Sequence, residues 1–145
     1  MARARSADDS KGYATDFVTA VLARNLEDIA GRGVKVIANA GGVNPKAAAT
    51  RLQRIAARAD IPLRIAWVEG DNLIGRTAEL AELGVTEMAD GSPLVESPLS
   101  FNAYLGARPI AAALGAGADV VITGRCVDSA LALGPLIHEF GWGAE

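Results

Sequence analysis

A short β-branched run that stops at two glycines and restarts as a helix at Asn-Pro constrains this chain more than any other feature. It is VKVIANAGGVNPKAAA, Val34 to Ala49. A buried strand leads into a flexible Gly-Gly turn, with Asn44 placed as N-cap and Pro45 in the first helical turn. The same succession returns at VITGRCVDSA, Val121 to Ala130, and the run LRIAWV, Leu63 to Val68, ends in Glu69-Gly70-Asp71. Strands that alternate with helices join through crossovers into a parallel sheet with helices on both faces. The expected class is therefore α/β, with at least three parallel strands in Rossmann-like layering.

The remaining elements follow from periodicity. The first dozen residues are charged and aperiodic and read as a flexible arm, so residues 13–145 form a single α/β domain. Thr15 is placed to cap a helix with Phe17, Val18, Val21, Leu22, Leu26 and Ile29 inward and Gly31 and Gly33 at its end. Strands are expected at Val34 to Ala38, Leu63 to Val68 and through ADVVITG. Helices are expected from Pro45, over Asn72 to Leu83 with Leu73, Leu80 and Leu83 inward, and from Phe101 or Asn102 through Ala116. A last helix from Asp128 is interrupted at Gly134-Pro135. Val85 to Ser100 reads as a loop with one short strand near Val85. Three strands among five helical stretches leave sheet edges uncovered, so the architecture reads as incomplete at both ends.

With 145 residues and 50% hydrophobic content the chain has material for a core. A net charge of −3 and a pI near 5.2 speak against a general nucleic-acid or membrane-surface binder. Its apolar runs, such as Ile110 to Ala116, fall far short of the roughly 20 residues that span a bilayer, and MARARSADDS has no apolar signal core. One cysteine, Cys126, allows no internal disulfide, which fits a reducing, cytoplasmic setting.

In a parallel sheet all strand C-termini lie on one edge, where ligands settle. That edge would carry Asn39, Gly41, Gly42 and Asn44 after the first strand, Glu69 and Asp71 after the second, and Thr123, Gly124, Arg125, Asp128 and Ser129 after the third. The Gly-Gly loop offers backbone N–H groups to an anion or acyl carboxylate, or serves turn geometry and capping alone. It is neither GxGxxG nor a Walker loop. Glu69 and Asp71 suit proton transfer, ligand binding or a magnesium site, or else Asp71 caps the next helix. Arg125 suits a two-pronged grip on a carboxylate or phosphate, or pairs with Asp128 or Glu69 to hold its loop. Ser100, Asn102 and Tyr104 are placed to line the same cleft, or Tyr104 serves as half-buried packing. Cys126 and His138 are twelve residues apart, roughly 18 Å along a helix, which separates them as nucleophile and base. Lys46, Arg51, Arg54 and Arg58 form a basic helix face, either solvated or a landing strip for the phosphates of CoA. Nothing in these motifs names a cofactor or a protein ligand set for a metal.

Four segments carry a wider likeness: KGYATDFV (Lys11 to Val18), GVKVIANAGGVNPKA (Gly33 to Ala47), WVEGDNL (Trp67 to Leu73), and Ser100 to Trp142, which contains VITGRCVDSALALGPLIHEFGW. Together, in colinear order, they resemble the acyclic terpene utilisation family, the AtuA-like proteins. The resemblance implies bacterial catabolism of branched acyclic terpenoids such as citronellol and geraniol, whose intermediates travel as CoA thioesters. It implies a small-molecule ligand, carboxylated or CoA-linked, and no specific reaction. Such proteins are longer at both ends, so the chain reads as an internal section of that domain. Three functions follow as expectations: a catabolic enzyme or its ligand-binding part, a non-catalytic interaction subunit in an oligomer, or a fragment without activity of its own.

Overall fold

The computed structural model describes residues 1–143. Its elements in chain order are α1 (Ala2–Ala7), a π-helical turn (Phe17–Leu22), α2 (Leu26–Arg32), β1 (Val36–Ala38), α3 (Pro45–Arg58), β2 (Ile65–Val68), a 3-10 turn (Ile74–Arg76), α4 (Thr77–Glu82), α5 (Arg108–Gly115), β3 (Val120–Thr123) and α6 (Ala130–Phe140). The strands form one parallel sheet in the order β1-β3-β2, with Ala38 opposite Ile122 and Val68 opposite Thr123. The α/β class and the parallel sheet are as the sequence pattern requires.

The sheet separates two apolar layers. On one face Val120, Ile122 and Ile65 pack with Ala48, Ala49, Leu52 and Ala56 of α3 and with Val18, Leu22, Leu26 and Ile29. On the other, Val121 and Val68 pack with Ile110 and Leu114 of α5 and Ala130 of α6. All four residues of β3 are buried, because β3 is paired on both edges and covered on both faces. The alternation Val120/Ile122 against Val121 divides its side chains between the layers.

Several elements differ from the sequence expectation, each for a physical reason. Residues 2–7 are helical, and the chain after them is tied to the β1–α3 loop: the Val43 N–H donates to the Gly12 carbonyl at 3.0 Å and the Ala14 N–H to that of Ala40 at 2.9 Å. The expected single helix from Thr15 is divided at Asn25, whose side-chain amide donates back to the Val21 carbonyl at 2.7 Å and competes with the helical ladder. Gly33, at φ 65°, ends α2, while Gly31 lies inside it. Leu83 is 70% exposed rather than inward, because α4 stops at Glu82. Phe101 and Asn102 do not open a helix. Residues 101–105 run extended, with isolated bridges from Asn102 to Asn72 and from Leu105 to Cys126, and α5 starts only at Arg108. Pro135 does not interrupt the last helix. α6 runs through it, and Gly134 lets the helix approach α5 so closely that a Cβ there would stand 2.6 Å from Ile110 Cγ2.

At the opposite edge of the sheet Asp119 fastens both outer strands to the centre. Its carbonyl accepts from Val36 N–H at 3.0 Å, and its carboxylate accepts from Lys35 Nζ at 2.7 Å and Arg64 N–H at 2.9 Å. Burial opposes its charge, but the hydrogen bonds from Lys35 and Arg64 outweigh that and hold the carboxyl below its ordinary value.

Two outcomes follow. Gly134→Ala forces a methyl group into branched, fully buried Ile110 and lowers stability by about 1–3 kcal/mol, read from denaturant melts. Because the folded pKa of Asp119 is lowered, its contribution is present above the unfolded value of about 3.9 and is lost as pH falls through the folded value. Asp119→Ala therefore destabilises the protein at neutral pH, and the gap between the two melting curves closes as pH is taken below about 4.

Candidate functional site

The parallel register brings the three strand ends to one edge. Neighbouring strands stand about 4.8 Å apart, so the residues that follow β1 and β2 flank those after β3 within about 10 Å. Along this rim Asn39, Glu69, Arg125, Asp128 and Ser129 are exposed, whereas Asn44, Asp71, Thr123 and Gly124 are buried. The sequence candidates thus divide into an outward set and an inward set.

The inward set builds the rim. Asp71, 3% exposed, receives two donors on one carboxylate oxygen: the Asn102 side-chain amide at 2.8 Å and the Arg125 backbone N–H at 3.0 Å. Its carbonyl accepts from Ala103 N–H at 2.7 Å. One side chain therefore joins the loops after β2 and β3 to the extended segment 101–105. Gly124 is required beside it, since a Cβ there would stand 2.5 Å from Asp71 Oδ1. Thr123 directs its hydroxyl to the Gly124 carbonyl at 3.1 Å and lies 3.3 Å from the buried Cys126 sulfur. His138 is on α6 and near Gly115, so Cys126 and His138 belong to different surroundings.

The Gly-Gly loop differs from the expectation of free donors. Gly41 N–H donates to the Thr123 carbonyl at 3.1 Å, Gly42 N–H to Asn39 at 3.3 Å, Val43 N–H to Gly12 and Asn44 N–H to Gly41 at 2.8 Å. These amides are spent on holding the loop. Gly41 is present because a Cβ would meet the Thr123 carbonyl oxygen at 2.4 Å, and Gly42 combines a φ of 55° with close approach to Gly12. Asn44 does cap α3, accepting from Ala47 N–H at 3.3 Å. Its amide also donates to the carbonyls of Asp9 and Lys11, both at 2.8 Å, a long-range role that no local pattern announces.

The outward set carries the chemistry available to a ligand. Asn39 Nδ2 reaches Asp128 Oδ1 at 3.4 Å, linking the ends of β1 and β3. The Arg125 guanidinium lies over the Tyr104 ring, 5.0 Å from its centroid, and donates to the Tyr104 hydroxyl. Of five guanidinium N–H donors that contact uses one. Arg125 pairs with neither Asp128 nor Glu69 among the ion pairs of the described residues. Ser100 and Asn102 line a separate cavity of about 330 Å³ together with Asn72, Val43 and α1 residues. Among the described residues no three His, Cys, Asp or Glu side chains gather as a metal cluster, and no helix is long and apolar enough to cross a membrane. Tyr104, expected either to line the cleft or to pack half-buried, is 59% exposed and partners Arg125. No local pattern announces this pairing; it follows from the bridge of neighbouring Leu105 to Cys126, beside Arg125.

Removing the Asp71 carboxylate leaves two donors without their acceptor. Asp71→Ala is expected to cost about 1–3 kcal/mol per orphaned group, measured by chemical denaturation, whereas an exposed rim change such as Ser129→Ala stays within about 0.5 kcal/mol.

No curated protein and no solved structure matches the chain. The family model described as Acyclic terpene utilisation family protein AtuA matches residues 1–145. The chain is a member of the AtuA family of acyclic terpene utilisation proteins.

Proposed function

We propose that the strand-end rim binds the carboxylate or thioester end of a small branched metabolite, carboxylated or CoA-linked, as the ligand-binding part of a catabolic enzyme. The observation that carries this reading is the state of Arg125. Its backbone N–H is anchored by buried Asp71, its guanidinium rests against Tyr104, and the residue is exposed. A guanidinium oriented in this way is prepared for a planar oxyanion, because little side-chain freedom is left to lose on binding.

Each rim residue then has a role. Arg125 grips the acyl oxygens, and the Asn39 amide, held by Asp128, supplies a second donor across β3. Glu69, exposed after β2, is the carboxylate available for proton transfer to or from the ligand. Asp71 is a positioning residue, since its oxygens serve Arg125 and Asn102. Gly41, Gly42, Thr123 and Gly124 shape the floor, and Asn44 holds α3 in place. Ser129, exposed next to Asp128, borders the rim. Ser100 and Asn102 support the neighbouring segment.

A non-catalytic interaction subunit is the second reading. It is favoured by α6, where Leu133, Leu136 and Phe140 are exposed at helical spacing and Phe140 stacks on Trp142 with centroids 5.7 Å apart. A monomer by light scattering that still binds ligand counts against it.

Calorimetric titration with an acyl-CoA and with a branched carboxylic acid tests the first reading. Arg125→Ala is expected to weaken binding about tenfold or more, and Asn39→Ala by a smaller factor, with folding retained because both side chains are exposed. Equal affinity in the wild type and both variants overturns it.

A further inference from the structure

We propose that the groove between α3 and residues 9–19 binds a small phosphate-bearing anion, with Lys46, Arg51 and Arg54 of α3 and Lys11 opposite them as its cationic grip. The groove has a volume of about 670 Å³ and is separate from the outward rim residues. Its lining includes those four cations and a single carboxylate, Asp9. On a chain with net charge −3 this is a local field of opposite sign.

The cations of α3 have no carboxylate on their own helix, PKAAATRLQRIAAR. Arg51, Arg54 and Arg58 follow at spacings of three and four, where like charges face each other and repel. The ion pairs among the described residues are Arg32–Asp28, Lys35–Asp119, Arg64–Asp119 and Arg76–Glu79, so none of the four lining cations takes part in one. Asp8, beside Lys11, has its carboxylate satisfied by the Ser10 N–H and hydroxyl. Lys46 Nζ sits 5.9 Å from the Trp67 ring centroid.

Geometry favours a compact, multiply charged ligand. Lys46, Thr50 and Arg54 succeed one another at four-residue intervals on one helix face, spanning about 12 Å. Thr15, Thr50 and Tyr13, each with a hydroxyl, line the same groove. Arginine forks matched to phosphate oxygens, with hydroxyl donors between them, form a phosphate-recognition set. The ligand class is a phosphate or phosphoanhydride on a small molecule. The site is independent of the strand-end reading, because none of Asn39, Glu69 and Arg125 lines it.

Calorimetry of the full chain with inorganic pyrophosphate tests the proposal, with citrate as a non-phosphate trianion and a short DNA oligonucleotide as the macromolecular alternative. Pyrophosphate is expected to bind more tightly than citrate or the oligonucleotide, and Arg51→Gln/Arg54→Gln to weaken it about tenfold or more with an unchanged circular dichroism melt. Arg108→Gln, on α5 across the sheet, leaves the affinity unchanged. The proposal is overturned by no pyrophosphate binding, by equal affinity in the double variant, by an equal loss in Arg108→Gln, or by tighter binding of citrate or the oligonucleotide. Arg125→Ala separates the two sites: unchanged pyrophosphate affinity beside lost acyl affinity supports both, and unchanged affinity for both ligands retains the groove while removing the rim reading.

Discussion

The double pairing of β3 is the constraint from which the rest of the structure follows. Val120 to Ile122 pair with β1 on one edge, Val120 to Thr123 pair with β2 on the other, and all four residues are closed off from solvent. A strand in that position must be apolar on every side, because its neighbours are α3 on one face and α5 with α6 on the other. Parallel pairing then fixes the direction of all three strands, and that direction gathers their C-terminal loops on one edge. The rim of candidate residues is a consequence of sheet geometry before it is a matter of chemistry.

Those loops are held by polar contacts that replace regular secondary structure. Asp71 carries the heaviest share: from the loop after β2 it binds the backbone of the loop after β3 and the side chain of Asn102. Gly41 and Gly124 permit this density, since a methyl group at either position would collide with a carbonyl or carboxylate oxygen. The buried backbone donors of the Gly-Gly loop find partners inside the chain, as they must when water is excluded. Pre-organisation of the rim comes from this inner layer, and it leaves Arg125, Asn39 and Glu69 outward.

The periodic elements were legible because their signals are local. Each strand was visible as a β-branched run, and α3 as an Asn-Pro start with a buried stripe of Ala48, Leu52 and Ala56. The observed strands begin later than the runs that announce them, at Val36 and Ile65, because pairing ends where β3 begins at Val120. Phe101 to Leu105 carried a helical pattern, yet Asn102 is drawn to Asp71, 31 residues away, and the segment is extended. Pro135 carried the signal of a break, yet the contact between Gly134 and Ile110 keeps both halves of α6 on α5.

The sequence by itself determined which segments become strands and helices, that the strands run parallel, and therefore that Asn39, Glu69 and Arg125 share an edge. Hydrophobic period and crossover length suffice for that, and both are properties of neighbouring residues. Only the tertiary structure decided which of the rim residues face inward as supports and which face outward. It also decided that the amides of the Gly-Gly loop are engaged, and that four cations without carboxylate partners line one groove. Those outcomes depend on pairs such as Asp71–Arg125, Asn44–Lys11 and Gly41–Thr123, which lie far apart in the chain and come into hydrogen-bond distance only when β3 takes its place at the centre of the sheet.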